Sequence, residues 1–233
     1  MRSVRFSVSK GLTCLLIGHT LCVPAWGDVA QPENLGEIKL RLVQYQESGQ
    51  YAADLAATGA EARQYLQERA SGIDKPAIVL DIDETSLSNW QFLKLNDFGF
   101  IIQGVCELLR GPCGFLAWAE MAKATAIAPT LELYRLVRER GVAVFFITGR
   151  PESLRVATER NLREAGYTDW DALYLKPQDL KVSGAAQYKA PIRCELIAKG
   201  YTIVVNLGDQ ASDLEGGCAE RAFKMPNPYY RIP

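Results

Sequence analysis

Acidic residues follow directly after an apolar run in the stretch AIVLDIDET. This stretch places Asp81, Asp83 and Glu84 behind residues that are typical of a buried strand. Two further acids, Asp209 and Asp213, follow a second apolar run in YTIVVNLGDQASD, although Asp213 could instead cap a helix. Carboxylates gathered in one cleft repel one another unless a cation lies between them. These residue types therefore predict a hard cation such as Mg²⁺, which takes oxygen ligands.

A second group of residues is suited to a negatively charged substrate. Thr148, Gly149 and Arg150 follow a third apolar run, and Lys189 lies near the start of a predicted helix. A hydroxyl, a backbone N–H, a cation and a metal ion around one point favour an oxyanion such as phosphate. Taken alone, Lys189 would be an ordinary surface lysine. Its place between the other motifs makes it a candidate for the site.

Apolar runs and helical spacing alternate along the chain and predict the elements that must position these residues. The predicted strands are 77–83, 142–148, 172–175, 201–209 and 222–226. The predicted helices are two within 34–70 with a break at 48–49, then 130–140, 153–166 and 187–200. The last of these requires Pro191 in its first turn. The alternation predicts an α/β fold with a mainly parallel sheet covered on both faces.

Three polar clusters lie at carboxyl ends of predicted strands, namely Asp81 with Asp83, residues 148–150, and Gly208 with Asp209. Ligands bind at these ends in open parallel sheets. A turn after Asp81 can also bring Asp83 to the same cleft. We therefore expect the motifs to converge on one edge of the sheet.

Several other chemistries are excluded by composition. The single histidine, His19, lies in the N-terminal leader described below, so Ser-His-Asp hydrolysis and histidine-ligated zinc are not expected. No cysteine is followed six positions later by arginine, which excludes the usual cysteine-phosphatase loop. The formal net charge of −1 argues against nucleic acid as a partner.

The N-terminus is typical of a secretory signal peptide at residues 1–27. A basic start precedes an apolar core and a small-residue end, with no acid before Asp28. The alternative is a membrane anchor, but the apolar stretch is short and is interrupted by His19 and Pro24. The pattern predicts a periplasmic or secreted protein without a stable membrane anchor.

Cleavage would leave one domain at 28–233, with an N-terminal helical segment at 34–75 and a small cap-like insertion at 86–128. Four cysteines remain in it, an even number that is compatible with disulfides in an exported protein. Cys106–Cys113 is the favoured pair and Cys194–Cys218 is a second, while four free thiols are the alternative. Aromatic residues in and around the insertion could stack on a substrate or belong to the core, namely Trp90, Phe92, Phe98, Phe100 and Trp118.

Four ordered motifs give the sequence a family resemblance. DIDET at 81–85, ITGR at 147–150, YK at 188–189 and GDQASD at 208–213 resemble the motifs of the haloacid dehalogenase (HAD) superfamily. The match over 34–233 looks closer to its class-B-like acid phosphatase branch, which includes bacterial lipoprotein acid phosphatases, 5′-nucleotidases and plant vegetative storage proteins. The resemblance implies a Rossmann-like three-layer α/β/α core. Ala211 departs from the tryptophan often found in the fourth motif.

The resemblance also implies a role for each motif residue. Asp81 would be the nucleophile that forms an aspartyl-phosphate, and Asp83 the general acid and base. Thr148 would bind a phosphoryl oxygen, and Lys189 would hold the nucleophile and the phosphate charge. The Mg²⁺ ligands would be Asp81, the Asp83 backbone carbonyl and Asp209, with Asp213 bound directly or through water.

The expected function is therefore an exported, Mg²⁺-dependent acid phosphatase that acts on small phosphate monoesters, with 5′-nucleotides as one substrate class. Gly149, Arg150, Trp90, Phe92 and Trp118 are the expected substrate-binding residues. The alternatives are a non-catalytic storage or binding protein on the same fold, and a phosphotransferase that passes the phosphoryl group to an alcohol. No role for Glu84 follows from the sequence.

Overall fold

The apolar runs form the strands of a central parallel sheet. The computed structural model describes residues 31–232, so the signal peptide predicted at 1–27 lies outside the described residues. The sheet has the order β5-β4-β1-β6-β7 and every neighbouring pair is parallel. Its strands are β1 (Pro76–Leu80), β4 (Ala143–Pro151), β5 (Ala172–Lys176), β6 (Thr202–Gly208) and β7 (Arg221–Lys224). A short antiparallel pair, β2 (Leu87–Ser88) and β3 (Thr125–Ala126), lies apart from it.

Helices cover both faces of the sheet. In the described chain they are α1 (Leu35–Glu47), α2 (Gln50–Arg69), α3 (Trp90–Leu95), α4 (Phe115–Met121), α5 (Ala128–Glu139), α6 (Arg155–Glu164), α7 (Ala186–Ala198) and α8 (Ala211–Leu214). A single 3₁₀ turn, Glu152–Leu154, precedes α6. None of the described helices has the length and apolar character needed to cross a bilayer.

Side chains alternate between two apolar layers, as the pleat of a strand requires. Ile78 and Leu80 face the larger layer, which includes residues of α2 and α5, whereas Val79 faces the smaller layer with Tyr188 and Leu196 of α7. Burial on both faces explains why β1, β4 and β6 read as continuous apolar runs. The predicted three-layer α/β/α architecture is confirmed.

Residues 86–128 contain β2, α3, α4 and β3. The β2–β3 pair joins the two ends of this segment, and Cys106 and Cys113 form a disulfide between them. The second disulfide links Cys194 of α7 to Cys218. Both expected cysteine pairs are therefore formed.

Several element boundaries differ from the sequence prediction, and two of these differences lie next to the motif residues. The strand predicted at 77–83 ends at Leu80, because the chain turns and the N–H groups of Ser86 and Leu87 both donate to the carbonyl of Ile82. Pro191 lies in the second turn of α7 and not in its first. The helix begins one residue earlier than predicted, since the carbonyl of Ala185 already accepts from Lys189.

Candidate active site

A buried cluster of three charged side chains, with one ammonium between two carboxylates, forms the floor of the site. Asp81 follows β1, Lys189 lies in the first turn of α7, and Asp213 belongs to α8 after β6. The Nζ of Lys189 donates to Oδ1 of Asp81 (2.5 Å) and to Oδ1 of Asp213 (2.6 Å). All three side chains are at most 8% exposed. Parallel topology thus brings residues 108 positions apart into contact at the carboxyl edge of the sheet.

Burial and charge act in opposite directions on these groups. Burial disfavours the ammonium of Lys189, but Asp213 and Asp81 outweigh it and raise the pKa of that lysine above its ordinary value. Burial raises the pKa of Asp81, and Lys189 opposes this shift. Burial, followed by repulsion from Asp213, raises the pKa of Asp209 to about 7. Burial and the neighbouring carboxylates thus disfavour the ionised form of both aspartates, and Lys189 does not fully offset this for Asp81.

The same carboxylates fit a divalent cation. Asp81, Asp209 and Asp213 each offer an oxygen, and these oxygens all lie within 4.8 Å of one another. When all three are ionised beside one ammonium, two negative charges remain, which a divalent cation would balance. All the donors are oxygens, the type that Mg²⁺ prefers. The cluster therefore fits the ion predicted from the sequence.

Neighbouring residues hold the carboxylates in place. Asn227 donates to Oδ2 of Asp209 (2.6 Å), and Thr85 donates to its Oδ1 (3.3 Å). The backbone N–H of Gln210 donates to Oδ2 of Asp213 (2.9 Å). A Cβ at Gly208 would lie 2.4 Å from the Cβ of Asp213, so only glycine permits this close approach. Such outer contacts orient metal ligands.

Arg150 pairs with Asp83. Its Nε and Nη2 donate to the two carboxylate oxygens at 3.0 and 2.7 Å, and the arginine side chain is fully buried. A forked contact of this kind fixes the direction of a carboxylate. The sequence assigned Arg150 to substrate. The structure places it in the cavity lining with its guanidinium bound to Asp83.

Thr148 and Gly149 occupy different environments. Gly149 lines the cavity, with open space where a side chain would be. Thr148 is fully buried in β4, and its Oγ1 accepts from the N–H of Arg150 (3.1 Å). That acceptor contact leaves the hydroxyl proton of Thr148 available for donation.

The structure also assigns contacts to Glu84, for which the sequence gave no role. Its carboxylate accepts from the backbone and side-chain N–H groups of Asn89 and from the hydroxyl of Tyr230. Burial raises the pKa of Glu84 to about 7, and repulsion from Asp83 acts in the same direction. An acid directly after the two motif aspartates was the only sequence signal for this contact set.

A cavity of about 480 Å³ opens above this cluster of charged side chains and has an apolar wall. Asp81, Asp83, Lys189, Asp209 and Asp213 line its polar end. The wall consists of Phe100, Ile102, Phe115, Leu116, Tyr230 and Ile232. The rings of Phe100 and Tyr230 lie 4.7 Å apart. The wall thus combines residues of the insertion, where the sequence had offered Phe100 as a substrate contact, with the C-terminal segment, which the sequence had not connected with the site.

Three aromatic residues expected at the substrate lie elsewhere. Trp90 packs against Phe98 and Tyr229, and Phe92 is fully buried in the core. Trp118 is 1% exposed and donates its indole N–H to Asn89. None of the three lines the cavity formed by the described residues, which corrects their assignment to substrate. Apolar character alone did not separate core residues from wall residues.

The family to which the chain belongs follows from a comparison with known protein families. The family model for HAD superfamily, subfamily IIIB (acid phosphatase), matches residues 29–233. The chain belongs to this family. The resemblance inferred from the four motifs is thereby confirmed, and so is the expected enzyme class of acid phosphatase.

Individual relatives support this placement. The chain is 35% identical over 184 residues to Acid phosphatase 1 of Solanum lycopersicum, which covers 78% of the chain and 69% of that protein. It is 34% identical to Vegetative storage protein 1 of Arabidopsis thaliana, over 80% of the chain and 67% of that protein. The fold is similar to the class C acid phosphatase from Bacillus anthracis, with a TM-score of 0.67 and 23% identity over 84% of the chain and 86% of that structure.

Proposed function

We propose that this acid phosphatase hydrolyses small phosphate monoesters with Mg²⁺ through a phosphorylated Asp81. The observation that carries the proposal is the buried Lys189 between Asp81 and Asp213 at the base of the cavity. In this proposal Asp81 attacks phosphorus and the phosphorus–oxygen bond to the leaving group breaks. Lys189 keeps the nucleophile ionised and offsets charge on the phosphoryl oxygens. The hydroxyl of Thr148 and the N–H of Gly149 would donate to those oxygens.

Asp83 is the proposed proton donor and acceptor. It would protonate the departing alkoxide and then take a proton from the water that cleaves the acyl phosphate. Its forked contact with Arg150 holds the carboxylate in one direction at the cavity lining. Arg150 is then a residue that positions the acid.

Asp81, Asp209 and Asp213 would hold Mg²⁺ together with the Asp83 backbone carbonyl. When bound, the ion would neutralise charge that develops on the transferring phosphoryl group. Their mutual proximity and their uncompensated charge support this assignment. The direct contribution of Asp213 competes with its bond to Lys189, so it could also act through water.

The apolar wall supports an aromatic leaving group as the preferred substrate class. Phe100, Phe115 and Tyr230 can stack on a planar ring while the phosphate reaches the charged end. A 5′-nucleotide meets this description, and the proposal includes 5′-nucleotidase activity. A panel of nucleoside monophosphates, aryl phosphates and sugar phosphates assayed with Mg²⁺ would test it. Equal kcat/KM for aromatic and non-aromatic esters would contradict the role of the wall.

Export to the periplasm or the medium is also part of the proposal. Two disulfides form in the described chain, and disulfides persist in oxidising compartments. The basic and apolar N-terminus of the sequence supports the same location. Fractionation of cells that express the full chain, with sequencing of the mature N-terminus, tests it. A cytosolic product that retains residues 1–27 would contradict it.

A storage protein on the same fold is the second candidate, favoured by the similarity to Vegetative storage protein 1. Asp81→Asn distinguishes the two functions. In the enzyme this substitution abolishes hydrolysis of para-nitrophenyl phosphate, and acid quenching of the unmodified protein traps a phosphoryl group on the peptide that contains Asp81. The exposed Asp74→Asn is the matched control and should retain activity. Full activity in Asp81→Asn would refute the nucleophile, and an inactive unmodified protein would favour storage.

A further inference from the structure

Glu84 is a buried acid to which the proposed reaction gives no task. It is 1% exposed, and its backbone has a φ of +54°, a region that residues other than glycine rarely adopt. Such a conformation persists only when surrounding contacts hold it. The contacts of the carboxylate therefore indicate what the position does.

Three donors converge on the two oxygens of Glu84. The backbone N–H of Asn89 donates to Oε1 (2.6 Å), while the Asn89 side chain (3.1 Å) and the Tyr230 hydroxyl (2.5 Å) donate to Oε2. Asn89 lies just before α3, whereas Tyr230 lies 146 positions away in the C-terminal segment. The Glu84 carboxylate thus connects the loop after Asp81 to the apolar wall of the cavity through hydrogen bonds.

Asn89 extends this network to the proposed acid. Its Nδ2 also donates to Oδ1 of Asp83 (2.9 Å), and its Oδ1 accepts from the indole N–H of Trp118 (2.8 Å). Because an indole can only donate, Trp118 requires the amide oxygen on its own side and directs the NH₂ group towards the two acids. The Asn89 amide therefore has one orientation, with both hydrogens used.

We propose that Glu84 is a positioning residue that directs the Asp83 carboxylate through Asn89. Through its contact with Tyr230 it also holds the apolar wall of the cavity against the loop that follows Asp81. This inference rests on the proposed function. A glutamine at position 84 offers one oxygen where three donors need two, so its NH₂ group faces a donor. The Asn89 amide must then shift, and Asp83 loses one of the contacts that fix its direction.

Leaving-group dependence tests the inference with Glu84→Gln. A displaced acid matters most when the leaving group needs a proton. The kcat for β-glycerophosphate should therefore fall by about 10-fold to 100-fold, while that for para-nitrophenyl phosphate falls several-fold less. In an Asp83→Asn background the same substitution should cause little further loss, because residues that act as a unit are not additive. Exposed Glu61→Gln is the matched control and should leave both rates unchanged.

Tyr230→Phe separates the second arm of the network. It keeps the ring and removes the donor, so the KM for aryl phosphates should rise while the ratio of the two kcat values stays as in the unmodified protein. Tyr229→Phe is its control, because that hydroxyl donates to Gln46. If Glu84→Gln does not fold, Trp118→Phe frees the Asn89 amide from the other side and should lower the β-glycerophosphate rate selectively.

Two results would overturn the inference. Equal losses on both substrates in Glu84→Gln, or in Trp118→Phe, would indicate a purely structural role. A full additive loss on top of Asp83→Asn would show that Glu84 does not act through Asp83. An unmodified protein that hydrolyses neither ester would instead refute the proposed function on which the inference rests.

Discussion

Replacing Lys189 by methionine should destabilise the fold as well as abolish hydrolysis. The substitution keeps the length of the side chain and removes the ammonium between Asp81 and Asp213. Removing one partner of a buried ion pair costs about 3–5 kcal/mol. The carboxylate oxygens within 4.8 Å of one another give a comparable figure, since two unit charges at that separation repel by about 3.5 kcal/mol at an effective dielectric constant of about 20.

Calorimetry in EDTA at neutral pH measures this effect without a metal ion that could offset it. For a chain of this size about 1 kcal/mol shifts the Tm by about 2–4 °C, so Lys189→Met should melt roughly 10 °C below the unmodified protein. The double variant Lys189→Met/Asp213→Asn removes one of the facing charges. It should recover a large part of the lost stability and remain inactive.

Two outcomes would contradict the reasoning about Lys189. If Lys189→Met melts within about 2 °C of the unmodified protein, the carboxylates do not depend on the ammonium, contrary to the energies of a broken buried pair. If the double variant melts no higher than the single one, the charge of Asp213 is not what destabilises the Lys189→Met protein.

Three further predictions concern the metal ion, the acid and the wall. Mg²⁺ at about 100 times its Kd should stabilise the unmodified protein by about 2.7 kcal/mol and restore its activity after EDTA treatment. The Asp209→Asn variant should lose most of this Mg²⁺-dependent rise in Tm. An unchanged Tm of the unmodified protein on addition of Mg²⁺ would contradict the metal site. Asp83→Asn should lower kcat for β-glycerophosphate by about 10²–10⁴ but affect para-nitrophenyl phosphate less, and equal losses on both would exclude the acid role. Phe100→Ala should raise the KM for aryl phosphates by up to about tenfold more than the KM for β-glycerophosphate, as expected for the loss of one aromatic contact. Equal changes in both KM values would contradict a contact between Phe100 and the substrate.

The sequence by itself determined the strands and the edge at which the chemistry gathers. Continuous apolar runs have few alternatives to buried parallel strands, and a parallel sheet places every carboxyl end at one edge. The approach of Asp81, Gly149 and Asp209 to one cavity therefore followed from topology, without knowledge of any side-chain contact. Lys189 lies on a predicted helix, and its place between the motifs, together with the family resemblance, brought it to the site. The two cysteine pairs were among the options that the sequence offered, and both form.

Only the tertiary structure decided which partner each polar or aromatic side chain takes. Arg150 binds Asp83 across 67 positions, and Tyr230 reaches Glu84 across 146. Trp118 faces Asn89 in the core, whereas Phe100 faces the cavity. Periodicity reports that a side chain is apolar or polar, because that property is local to the residue. The choice between core and wall, or between substrate and acid, depends on distances of a few ångströms between segments remote in sequence, and only the packed chain fixes those distances.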